Sequence, residues 1–77
     1  MIRRMILRAR LRSAARHCED VSNLIMQRIA EMESMHPESL HAALIQREIE
    51  SLHKPEWERS KQLVRELQDR LKGSTHT

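Results

Sequence analysis

The sequence predicts an all-α protein folded as an antiparallel helical hairpin, and three observations carry that expectation. Apolar and small residues recur at steps of three and four along most of the chain, the period of one helix face. The only aromatic residue is Trp57. The core therefore falls to Leu, Ile, Val, Met and Ala, which (the β-branched few apart) favour helices over strands. One glycine and two prolines leave few turn formers.

The first helix is predicted over about residues 3–34. Its stripe is Leu7, Leu11, Ala14, Cys18, Val21, Ile25, Ile29 and Met32, and no Gly or Pro interrupts residues 1–34. Asp20 and Ser22 are both capping residues, so a break near position 21 is the alternative. Met35-His36 then forms a tight connection, with His36 or Ser34 as N-cap and Pro37-Glu38 in the next first turn.

The second arm reads as 37–53 and 55–72. Its stripe is Leu40, Leu44 or Ile45, Ile49 and Leu52, resuming as Trp57, Ser60, Val64, Leu67 and Leu71. Pro55 demands a kink or break, because the residue before proline avoids helical dihedrals. Glu56 and Glu58 suit a new helix N-terminus there. The angle at Pro55 decides between a hairpin and a three-helix bundle. Gly73 reads as a C-terminal stop, with 73–77 a frayed polar tail beyond a single helical domain over 1–72.

The arms match in length, each roughly 50 Å at about 1.5 Å per residue, and a short turn forces them antiparallel. Aligning the stripes sets Leu7 against Val64, Leu11 against Ser60 or Leu63, and Ala14 against Trp57. Val21 then faces Leu52, Ile25 faces Ile49, and Ile29 faces Leu44 or Ile45.

A chain of 77 residues has a marginal core and calls for a staple. Cys18 is the only cysteine, which excludes an intrachain disulfide and points to a reducing, cytoplasmic setting. Oligomerisation becomes the expected staple. No apolar run of about 18 residues is present, so no transmembrane helix is expected.

A two-helix hairpin buries one stripe per arm. Ile2, Met5, Ile6, Leu24, Met26, Met35 and Leu63 fall off those stripes and are candidates for a second seam or patch. Such a seam suits a homodimer forming a helical bundle, a different protein, or both.

Residues 1–16 hold Arg3, Arg4, Arg8, Arg10, Arg12 and Arg16 and no acid, while the remaining 61 carry 8 basic and 11 acidic side chains. Arg4, Arg8, Arg12 and Arg16 share one helix face. Like charges at that spacing cost roughly 0.2–0.5 kcal/mol each, and cations near a helix N-terminus oppose its dipole. Local helix stability does not explain this basic face. The candidates to account for it are Glu58, Glu66 and Asp69 of the other arm, an acidic protein, nucleic acid, and a membrane surface or a role as an organelle-targeting presequence.

No catalytic, metal or cofactor motif is found. The five histidines make no HExxH or i, i+4 pair, and no glycine-rich loop exists to cradle phosphate. Cys18, His17 and His53 would converge at mid-hairpin, but zinc wants three or four ligands and a thiol nucleophile wants an oxyanion-stabilising group. In size and helical pattern the chain resembles small bacterial secretion co-chaperones and phage-encoded inhibitors of host proteins. These features together predict a non-enzymatic protein-binding module (inhibitor, regulator or chaperone-like adaptor) acting through helix packing and an arginine face. A small nucleic-acid-binding regulator and a structural subunit of a larger helical assembly are the alternatives.

Overall fold

A computed structural model describes residues 2–75. Helix α1 spans Ile2–Glu33 without a break at position 21. After a turn, α2 (Leu40–Glu48), one π-helical turn (Ile49–His53) and α3 (Lys54–Thr75) run end to end as a single second arm. The arms pack side by side as a helical hairpin, a rod of 57 × 15 × 13 Å.

The turn is built differently from the sequence expectation. Ser39 is the N-cap of α2, and its hydroxyl accepts from the Ala42 amide at 3.1 Å. Its extended backbone (φ −69°, ψ 144°) is the usual N-cap geometry. Pro37 and Glu38 lie in a β-turn closed by the Ser39 amide on the His36 carbonyl at 3.0 Å. His36 Nδ1 also accepts from the Glu38 amide at 3.2 Å. His36 thus braces the turn rather than the helix, and Ser34 donates to the Glu31 carbonyl as α1 ends.

Pro55 leaves the second arm helical. In an α-helix its ring would press on the carbonyl four residues back and offer it no N–H. The backbone instead widens, and the Lys54 amide bonds to the Ile49 carbonyl five residues back. Lys54 itself keeps right-handed helical dihedrals despite preceding a proline. No new N-terminus therefore arises at Pro55, and Glu56 and Glu58 lie inside a continuous arm. Gly73 likewise does not stop α3, which continues to Thr75, and no glycine among the described residues has positive φ. The rest of the expected tail, His76 and Thr77, lies outside the described residues.

The core is a thin line: Ala14 and Val21 from α1, with Ala42, Ile45, Ile49, Ser60 and Leu67 from the second arm. Among the described residues, no large side chain is fully enclosed. Ala14 shares its groove with buried Ser60, whose hydroxyl donates to the Trp57 carbonyl at 2.8 Å. Small side chains from both arms thus meet there. Trp57 is half-buried and carries the Lys61 ammonium 3.8 Å above its ring. Ile45 faces inward and Leu44 outward. Leu40 and Leu52 are exposed rather than seam residues, at 76% and 59%. The wide π turn accounts for Leu52: the next inward position after Ile49 falls at His53, which is half-buried. A hydrogen-bond contact between His17 and Glu56 at 3.2 Å and an ion pair between Arg28 and Glu48 at 2.9 Å link the two antiparallel arms.

With so few buried side chains, each should carry a large share of stability. Leu67→Ala is expected to destabilise by about 2–4 kcal/mol, and Leu40→Ala by under about 0.5 kcal/mol, in urea unfolding. Equal losses would contradict the inward assignment of Leu67. Ser39→Ala should cost about 1 kcal/mol in the same assay, as an N-cap does.

Candidate interaction surfaces

Helix periodicity distributes the leftover apolar residues around α1. Ile2, Met5 and Ile6 cluster at the open end of the rod, exposed by 77%, 71% and 51%. Ile6 and Leu24 are eighteen residues apart, five helical turns, so they share one face. Met26 lies roughly 200° around the helix from Leu24, on a different face. Leu63 is exposed on α3, at the rim of a mid-rod groove. Met35 alone of the candidates is half-buried, tucked in a hollow under the turn with Met32, Pro37 and Ala42. The seven residues therefore do not form one seam. Ile29, Leu40, Leu44 and Leu52 are exposed additions that the stripe reading had placed inside.

The groove runs between the arms on one flank. Arg10, Ser13, Ala14 and His17 line it from α1, and Glu56, Arg59, Ser60, Leu63, Leu67 and Arg70 from α3. The opposite flank holds Ala15, half-buried Cys18, Lys61 and Val64.

Folding the chain into a hairpin concentrates charge along the rod. The open-end half, residues 2–17 and 58–75, carries 11 basic and 3 acidic side chains, a net of +8. The turn-end half, residues 18–57, carries 3 basic and 8 acidic, a net of −5. The second arm thus brings Arg59, Lys61, Arg65, Arg70 and Lys72 to the arginine end of α1 instead of neutralising it. Among the described residues, no ion pair joins Arg4, Arg8, Arg12 or Arg16 to Glu58, Glu66 or Asp69; Glu58 pairs with Lys61 at 3.1 Å. Arg4 and Arg8 sit beside Lys72 and Leu71 in a shallow basic hollow.

The turn-end half holds an ionic network around Glu48. Arg28 bonds Glu31 at 2.8 Å and Glu48 at 2.9 Å, and His53 Nε2 meets the same Glu48 carboxylate at 3.2 Å. The hydrogen bond to Glu31, aided by the charge of Glu48, raises the Arg28 pKa and keeps it cationic. These contacts engage the histidines that flanked Cys18 in the sequence reading: His17 turns to Glu56 and His53 to Glu48. Among the described residues, no three His, Cys, Asp or Glu side chains are placed to hold a metal ion. None of the described helices is long and apolar enough to cross a membrane.

Comparison with protein-family models, curated proteins and solved structures finds no match to this chain.

The unbalanced arginine face should be a source of instability in the free chain. Arg8→Glu turns two like-charge i, i+4 contacts, with Arg4 and Arg12, into attractive ones and suits the helix dipole. It should stabilise by about 0.5–1 kcal/mol, seen as a higher melting temperature in low salt and a smaller gain in high salt. A lower melting temperature would mean that Arg8 already has an acidic counterpart.

Proposed function

We propose that this chain is a small non-enzymatic protein-binding module, of the inhibitor, regulator or chaperone-like adaptor kind, whose hairpin is completed by association with protein surface. One observation carries the reading. The chain exposes 6475 Å² of surface, where a compact monomer of 9.2 kDa exposes about 4,900 Å². Its radius of gyration is 17.2 Å, against about 11.5 Å for a compact domain of this length. The excess of about 1,500 Å² on one chain is about twice the ~800 Å² that a standard protein–protein interface removes from each partner. Ten large apolar side chains contribute to it, Ile2, Met5 and Leu40 the most exposed.

Leu24 is the discriminating position, because it is exposed rather than in the core line. Leu24→Asp is expected to abolish association in light scattering and to lower the melting temperature, while circular dichroism at low temperature stays helical. If the charge unfolds the helix as well, Leu24 is internal packing and the docking reading fails.

The +8 open end supports a second reading, binding of nucleic acid through phosphate neutralisation. Against it stands the lack of stacking aromatics, since Trp57 is already occupied by Lys61. This reading expects salt-sensitive binding to duplex or single strands, lost when Arg4, Arg8 and Arg12 become Glu. No binding at about 50 mM salt would remove it.

A further inference from the structure

Resting on the protein-binding reading, we infer that the groove flank of the hairpin docks a second copy of this chain turned end for end, α1 against α1, with Ile6 of each copy on Leu24 of the other. The periodicity of α1 supplies the register. Ile6, Ser13, Asp20 and Gln27 recur every seven residues, close to two helical turns, and form one line along the helix. Arg3, Arg10, His17 and Leu24 form the neighbouring line. All eight side chains are exposed, and Arg10, Ser13 and His17 line the groove.

A two-fold axis perpendicular to the rod, level with position 15, lays each line on the other line of the second copy. Ile6 then meets Leu24, Arg10 meets Asp20, Ser13 meets His17, and Arg3 meets Gln27. Every pair is compatible: apolar with apolar, cation with anion or neutral donor and acceptor. The same operation brings Arg70 to the level of Glu48 on the second arm, and it sets the groove-lining Arg59 of the two copies level with each other, the one like-charge meeting in this register. It also sets each +8 half beside a −5 half, twice over. Placing the two copies with their open ends together would oppose +8 to +8, which charge repulsion disfavours. The area agrees as well. Covering about 1,500 Å² on each of two chains removes about 3,000 Å² in total, within the range of obligate homodimers. The result is a four-helix bundle with all adjacent helices antiparallel, and the interface is isologous, as a closed dimer requires.

Disulfide trapping reads this register directly. In a Cys18→Ser background, the double variant Ile6→Cys/Leu24→Cys is oxidised in low salt, alongside each single variant. The two positions are about 27 Å apart on one helix, so they cannot bridge within a chain. The expected result is a covalent dimer from the double variant and monomer from both single variants, with trapping reduced several-fold at about 1 M salt. Both positions are exposed, so circular dichroism should show intact helix throughout. Trapping by Ile6→Cys alone would place the open ends together and overturn the arrangement. A dimer in light scattering that no variant traps would move the interface to another face. A mass of 9.2 kDa in low salt would exclude the second copy as partner, while the protein-binding reading would survive with a different protein on the same flank.

Discussion

Packing of α1 against the second arm removes one stripe of each helix from water and no more. Every later property follows from that limit. The line from Ala14 and Val21 to Ile45, Ile49 and Leu67 is one residue wide, and small residues, Ala14, Ala42 and Ser60, hold the arms close along it. Close approach favours a straight rod over a globule, so large apolar residues that do not fit the line have nowhere inside to go. A third helix could have covered them. The chain instead spends its second half on one long arm, because Pro55 is absorbed by a π turn rather than used to fold the arm back.

The same topology turns a sequence gradient into an axial one. An antiparallel hairpin superposes the N-terminal arginines on the cations of α3 at one end, and gathers Glu19, Asp20, Glu31, Glu33 and Glu38 towards the other. Within one molecule this arrangement is unfavourable for helix α1, whose arginines oppose both one another and the helix dipole. Repulsion of this kind is tolerated when it is relieved on binding, and it then favours one orientation of the partner over others. The turn-end network of Arg28, Glu48 and His53 shows the contrasting case, in which charges are satisfied internally and fix the alignment of the arms.

Much of this was legible in the sequence. The apolar period defined both arms, and the leftover residues Ile2, Met5, Ile6, Leu24, Met26 and Leu63 are all exposed. What was not legible has specific causes. A π turn changes the residues per turn, so the inward position moved from Leu52 to His53, and no local motif announces it. Ser39 lay directly before the apolar Leu40, a readable N-cap signal, but Pro37 drew the expected helix start three residues early. Leu40 and Leu44 fit a helical period in isolation; only the packing of Ala42 and Ile45 against α1 shows that they lie off the seam. The charge polarity was calculable once a hairpin was assumed, by counting the second arm end by end rather than treating it as a uniform acidic remainder.

The central claim is that the hairpin alone is incomplete and that association supplies missing stability. Its most direct test is the melting temperature of the purified chain, followed by circular dichroism over about a hundredfold range of protein concentration. Linkage requires the midpoint to rise with concentration if folding and association are coupled. The account predicts such a rise, by several degrees, and a smaller one in high salt. A cooperative transition whose midpoint does not move with concentration would show that the free hairpin is stable by itself, and would contradict the claim.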